Sequence, residues 1–286
     1  MPWGEGKAPD VERCMPSSEK SRRPRLVDTH CHLQDDRITN ALSSLLLEAR
    51  AAGVGYFVCC GAEEDDWDRV RILSLSHEGV VPFFGLHPFY VETRSLRWDL
   101  ALGDLLSAMP DAGVGEVGLD GMAVRHSLEE QEKVLITQLR LARDLKRPLS
   151  LHCRKAWGRM LGILKKEGGL PHGGAFHAWS GSPDMVPEVE KLGAYIGFAG
   201  SLTRMANRKV ARSALVASPD RILIETDAPD IPPEGVESQM NEPAWLIRTF
   251  DALARIRNLA DLALAEQLFR NSQNFLSFLS GVRLLP

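Results

Sequence analysis

From Arg25 onward, short β-type runs alternate with longer amphipathic stretches, and this alternation constrains the fold more than any other feature of the chain. The pattern predicts strands at 26–28, 56–60, 81–85, 114–118, 149–152, 174–176, 195–198 and 222–225. The stretches between them carry helical spacing, as in Leu128, Leu135, Leu139 and Ala142, at offsets of 7, 4 and 3. Gly53 and Gly193 stand where helices should end. Strands separated by helices run parallel, joined by helical crossovers. Eight such units over about 260 residues match the size of a (β/α)8 TIM barrel, the expected α/β fold. An open doubly wound sheet is the other way to arrange such units. No G-x-G-x-x-G or P-loop pattern follows any strand to favour it. The stretch from Pro243 reads as two or three helices.

Composition adds bounds. A chain of 286 residues with 44% apolar residues buries roughly three quarters of its unfolded surface, enough for a core without staples. No apolar run approaches the ~18 residues of a membrane span, so no membrane partner is expected. The net charge of −4 carries no global footprint for nucleic acid, although local grip through metals and a few arginines stays open. The five cysteines (Cys14, Cys31, Cys59, Cys60 and Cys153) are odd in number and unpatterned. They predict free thiols and a reducing, cytoplasmic setting. Residues 1–24 differ from the rest, with Pro2, Pro9, Pro16 and Pro24 among charges of both signs and no apolar core of a secretory signal. They are expected to form a disordered extension to a single domain over 25–286.

Residues of metal-ligand type gather at the downstream ends of the predicted strands. They are Asp28-Thr29-His30-Cys31-His32 after the first, Glu116 to Asp120 in the fourth, and His152 at the end of the fifth. His177 ends the sixth, and Glu225-Thr226-Asp227 the eighth. In a barrel all these ends lie on one face, the face that carries active sites. In extended backbone, residues i and i+2 point to the same side, so His30 and His32 can reach one cation while Cys31 turns away. Alone, each piece has a bland alternative: an H-x-H is weak, His152 or His177 could be satisfied core residues, and Asp227 could start a turn before Pro229. Glu116 in an apolar strand is harder to dismiss, because an unpaired buried carboxylate is costly. Imidazoles with carboxylates suit Zn, Mn, Fe or Mg. Six ligands are too many for one tetrahedral ion and suit a pair that activates a water and clamps a phosphoryl or carbonyl oxygen.

With these motifs in place, the chain resembles the TatD family of metal-dependent hydrolases, of the amidohydrolase-like superfamily. The resemblance rests on D-T-H-C-H-L (28–33), G-L-H-P (85–88), G-E-V-G-L-D (115–120), L-H-C-R-K-A (151–156), F-H-A-W-S-G-S (176–182), E-T-D-A-P (225–229) and N-E-P (241–243). It implies one metal held by His30, His32, Glu116 and Asp227, and a second held by Glu116, His152 and His177, with Glu116 bridging. It also implies two divalent ions (Mg2+, Mn2+ or Zn2+) and a 3′→5′ deoxyribonuclease acting on DNA, single-stranded or at 3′ ends. The chain departs from the family at Asp230, Met240 and Lys155. All three stand beside the ligand positions and bear on substrate identity.

On this reading a bridging water attacks phosphorus, with Asp227 taking its proton, and Glu116 and Asp227 count as catalytic with His87 of G-L-H-P. His87 could contact the scissile phosphate or the leaving oxygen, or could be a histidine bonded within a proline turn. Arg154 could fork onto a phosphate. Arg204, Arg208, Lys209 and Arg212 could track a backbone or form a solvated helix face. Trp179 could stack on a base or pack at the barrel rim. Glu242, with Asn241, could brace the site. His77, His126 and His172 read as surface histidines. The alternative reading is a binuclear hydrolase of a small amide, ester or lactone, and a third is a barrel serving an assembly, which a lost ligand would signal. The chain is expected to act as a monomer.

Overall fold

The computed structural model describes residues 25–123, 127–238 and 240–285. The proposed extension over residues 1–24, together with Cys14 and His126, lies outside the described residues. Eight parallel strands lie in the order of the chain: β1 (Leu26–Cys31), β2 (Val54–Cys60), β3 (Val80–Phe84), β4 (Gly113–Asp120), β5 (Leu149–Arg154), β6 (Gly174–Phe176), β7 (Ala194–Phe198) and β8 (Ile222–Ile224). β8 returns to β1 through Asp227 N–H donating to the His30 carbonyl (2.9 Å) and His32 N–H donating to the Ala228 carbonyl (2.7 Å). This nearly closed sheet with helices between its strands is a (β/α)8 TIM barrel, as the alternation predicts. All eight strands fall where the sequence places them. β1 and β4 run further downstream than predicted, so His30 and Asp120 lie inside strands rather than after them.

The helices are α1 (Asp36–Thr39), α2 (Leu42–Ala51), α3 (Glu64–Ser76), α4 (Trp98–Ala108), α5 (Leu128–Asp144), α6 (Trp157–Glu167), α7 (Val186–Lys191), α8 (Arg208–Val216), α9 (Leu246–Arg257) and α10 (Asp261–Leu276). α5 shows why its sequence is helical. Ser127 caps it, accepting from Glu130 N–H at 3.2 Å, and Leu135, Leu139 and Ala142 are buried on one face. Gly53 and Gly193 follow α2 and α7 with φ of 94° and 95°, a left-handed turn that glycine makes without steric cost.

The larger apolar cluster lies between strands and helices. A smaller one joins Val27, Val58, Val81, Phe83, Ala175 and Leu223 from strands all around the sheet, which can meet only inside the barrel. Phe275 of α10 packs on Phe83 (5.9 Å between ring centroids) and seals that interior. Apolar packing thus fills one end of the barrel, and the downstream strand ends are left to polar residues. Among the described residues no helix is long and apolar enough to cross a membrane.

Candidate metal centre

Those strand ends converge on Glu116. His30 on β1 and His32 just beyond it bring their Nε2 atoms within 3.2 Å of each other. Both face Glu116 Oε2, at 3.4 and 3.3 Å, and Asp227 Oδ1, at 3.5 and 3.6 Å. Four donors about 2.1 Å from one tetrahedral ion stand roughly 3.4 Å apart, so these spacings fit a cation. The other carboxylate oxygen, Glu116 Oε1, faces His152 Nδ1 at 2.9 Å, His177 Nε2 at 2.7 Å and His87 Nε2 at 3.4 Å. One glutamate therefore presents one oxygen to each of two donor groups. The triads His30–His32–Asp227, His30–Glu116–His177 and His87–Glu116–His152 each have ligand atoms close enough to hold an ion. The Nδ1 of His177 is buried without a hydrogen-bond partner among the described residues, 3.9 Å from Asp227 Oδ1. Donors buried this close to one another are costly unless something positive lies among them.

The far side of each ring fixes its orientation. His32 Nδ1 pairs with the Cys60 carbonyl at 2.8 Å, so it carries the proton and leaves Nε2 free to ligate. His152 is turned the other way. Its Nε2 pairs with Asp120 Oδ2 at 2.9 Å, and Nδ1 faces Glu116. His30 Nδ1 pairs with Ser150 Oγ at 2.7 Å. His87 differs in kind, because its Nδ1 accepts from Phe89 N–H at 3.1 Å. Its proton therefore sits on Nε2, which makes this ring a donor into the site rather than a ligand. Burial pushes His87 down to about 3, and His30 down to about 4, so both stay neutral near pH 7. Burial would raise Glu116, yet the surrounding His177, His87 and His30 hold it well below the ordinary glutamate range. Asp227 is likewise lowered: its burial is outweighed by the hydrogen bond from His32 and the nearby imidazoles. His152 is raised to about 9 against its burial, by the hydrogen bonds to Asp120 and Glu116.

The loop after β8 is built to hold Asp227 in place. Asp227 has a φ of 60°, a left-handed conformation that short polar residues tolerate. Asn241 is fully buried, and its amide donates to the carbonyls of Thr226 (2.7 Å), Asp230 (2.9 Å) and Ile231 (3.1 Å). Asp28 accepts from the Thr226 N–H (2.8 Å) and hydroxyl, and Glu225 from the Ala178 N–H beside His177.

A cavity of about 460 Å³ opens over the cluster, lined by His32, His87, Glu116, His152, His177 and Asp227 and rimmed by Arg154, the exposed last residue of β5. Other residues singled out in the sequence lie elsewhere. Trp179 is 1% exposed and packs on Trp157 (4.5 Å between centroids) and Phe176, so as placed it has no face for a base. Arg204, Arg208, Lys209 and Arg212 are exposed but none lines the cavity; Arg204 reaches the Pro232 carbonyl and Lys209 the Ser180 carbonyl. Glu242 is half-buried near Glu48 of α2 and does not line the cavity; its neighbour Asn241 does the bracing. His77 and His172 are half-buried. Sequence reasoning noted Asp120 among the strand-end acids but gave it no role, and passed over Ser150. Strand alternation could have found both, since Asp120 lies four residues after Glu116 and Ser150 two before His152. The Cys60 carbonyl, being backbone, left no signal.

The description TatD related DNase matches residues 27–277. The chain is 32% identical over 256 residues to YjjV of Escherichia coli K12, an uncharacterized metal-dependent hydrolase, covering 87% of this chain and 96% of that one. The crystal structure of YjjV, a TatD homologue, superposes with a TM-score of 0.84 over 88% of this chain and 97% of YjjV. The chain is 28% identical over 237 residues to the 3′-5′ ssDNA/RNA exonuclease TatD of Cronobacter sakazakii, covering 81% of this chain and 90% of the relative. The barrel is also that of a TatD family hydrolase from Entamoeba histolytica, at a TM-score of 0.80 and 19% identity over 88% of this chain and 98% of the other. Matched along nearly the whole barrel in both sequence and structure, this chain belongs to the TatD related DNase family.

Proposed function

We propose that the protein is a metal-dependent 3′→5′ exonuclease that hydrolyses phosphodiester bonds of single-stranded DNA. One observation carries the reading: the two oxygens of Glu116 are divided between two donor groups, the arrangement a pair of ions needs. His30, His32, Glu116 and Asp227 would hold one ion, and Glu116, His152 and His177 the other. Bound there, divalent ions (Mg2+, Mn2+ or Zn2+) would supply a water acidic enough to lose its proton near neutrality and a positive clamp for phosphoryl oxygens. Asp227, ionised and fixed by the loop after β8, would take that proton. His87 presents Nε2–H toward Glu116 and would donate to the phosphate or the leaving oxygen. Arg154 stands on the rim where its guanidinium can fork onto a phosphate. The Cronobacter relative is named for this activity, and its resemblance extends over most of both chains.

The test uses metal-stripped protein, end-labelled single-stranded DNA and Mg2+, Mn2+ or Zn2+ in turn, with Asp227→Ala and His30→Ala alongside. Stepwise loss of 3′ nucleotides, dependent on metal and absent in both variants, is the expected outcome. No cleavage with any metal, in protein that binds two equivalents, would overturn the reading in favour of a small amide, ester or lactone substrate.

A further inference from the structure

The cavity over the histidines is electrically uneven. Its side nearest β1 and β2 carries Asp35, Asp36, Glu63, Asp65 and Asp66, whereas Arg154 stands across the mouth at the end of β5. The two arginines on the acidic side are engaged. Arg37 forks between Asp35 (2.8 Å) and Asp230 (2.9 Å), and Arg69 reaches Asp36 at 2.6 Å. Glu63 and Asp65 form no ion pair among the described residues, and burial together with Asp66 and Asp65 raises the Glu63 carboxyl. A strand of phosphates drawn to the ions would be repelled from this wall and favoured toward Arg154.

Two aromatic rings share the cavity with the acids and the histidines. Phe89 and Tyr90 lie on a short 3-10 turn, Pro88–Tyr90, directly after β3 and line the same cavity. Pro88 and the bond from Phe89 N–H to His87 Nδ1 hold this turn. Phe89 is 46% exposed, and its ring meets His87 edge to face at 4.7 Å between centroids. The opposite nitrogen of His87 is 3.4 Å from Glu116. A half-exposed ring on a fixed turn is thus one imidazole away from the donor cluster. Tyr90 shares the cavity lining with Glu63, Asp66 and Asp35, and burial together with Glu63 and Asp66 raises its hydroxyl.

We propose that Phe89, with Tyr90 beside it, is the platform on which the 3′-terminal base of the strand stacks, and that Glu63, Asp65 and Asp66 form an end stop that refuses a further phosphate. The inference rests on the phosphodiester reading of the site and deepens it. On this proposal one nucleoside would lie between the ions and the acids, and the remaining strand would leave over Arg154. Exonucleolytic action then follows from charge and stacking, with no lid required. Stacking tolerates any base, because every base has a π-face.

The experiment compares strands of one length on metal-loaded protein. One strand ends in an ordinary 3′ nucleotide, one in an abasic tetrahydrofuran residue, one in a 3′-phosphate, and one is circular. The wild-type protein should prefer the ordinary end over the abasic end by about tenfold in kcat/KM. Phe89→Ala should bring that ratio near one, and Phe89→Trp should restore it. The 3′-phosphate should slow the wild type, and Glu63→Gln with Asp65→Asn should relieve the slowing. A wild-type ratio near one, or a ratio unchanged in Phe89→Ala, overturns the platform. Cleavage of the circle at the linear rate overturns the end stop. Absence of cleavage of every strand overturns the phosphodiester reading itself, an outcome distinct from either.

Discussion

His87 and His152 are both imidazoles against the same carboxylate oxygen, and one hydrogen bond on the far side of each ring separates their chemistry. His87 accepts there and so donates into the site; His152 pairs there with Asp120, and its other nitrogen can offer a lone pair once its proton is lost. Asp120→Asn weakens the acceptor that holds this orientation, and should lower divalent-ion affinity by about tenfold in titration calorimetry. His32 and His152 are held well above and at about 9, respectively, the first against its burial by hydrogen bonds with Asp227 and Glu116, the second by Asp120 and Glu116. Near pH 7 with no ion present, both hold a second proton, on the nitrogen that faces Glu116. Each must lose it to ligate, so ion binding should release about two protons. Apparent affinity should then rise with pH, by about a hundredfold per unit between pH 6 and 8. Affinity that is flat over this range would show that these rings are already neutral. The H-x-H spacing was legible because alternation in a strand is local. The choice of nitrogen was not, because it depends on Cys60, Ser150 and Asp120, which neighbouring strands supply.

Among the elements, β4 and β5 are the pair on which the cluster hangs. Gly118 on β4 lies against His152, and a Cβ there would stand 1.9 Å from the His152 carbonyl oxygen. Gly118→Ala should push the strands apart, costing about 1–3 kcal/mol in denaturant unfolding and displacing His152 enough to weaken ion binding. The loop after β8 poses the complementary case. Asn241→Ala strands the buried carbonyl of Thr226 and removes the donor to the partly buried carbonyls of Asp230 and Ile231, and should cost about 1–3 kcal/mol. All eight strands were readable from short apolar runs between helical stretches. Their downstream limits were not, because β1 and β4 continue through His30 and Asp120, polar residues that read as loop until neighbouring strands cover them. The basic stretch at 204–212 was legible as charge but not as position. Its α8 portion carries those side chains outside the cavity.

At the scale of the molecule, the barrel separates stability from chemistry. Phe83, Phe275 and their neighbours fill one end, and the histidines and carboxylates occupy the other. Adding divalent ion to stripped protein should raise the melting temperature in proportion to the logarithm of free ion, since only the folded barrel assembles the donors. The barrel also encloses Cys31, Cys59, Cys60 and Cys153, free thiols that are all buried, and burial raises each above its usual range. None of the four should react with an alkylating agent at pH 7 in native protein, and all should react once it is unfolded. Modification of any of them under native conditions, read by mass spectrometry, would contradict this packing. The sequence by itself determined the alternation of strands and helices, the parallel barrel it demands, and the gathering of histidines and carboxylates at one set of strand ends. Periodicity and spacing act over a few residues, so the chain carries them without its fold. Only the tertiary structure decided that Trp179 is core while Phe89 faces the cavity, that Asn241 rather than Glu242 braces the β8 loop, and that His87 turns an N–H toward Glu116 where His152 turns the nitrogen that its bond to Asp120 leaves over. Each of those outcomes turns on which distant residue arrives alongside, a relation that exists only once the eight strands have closed.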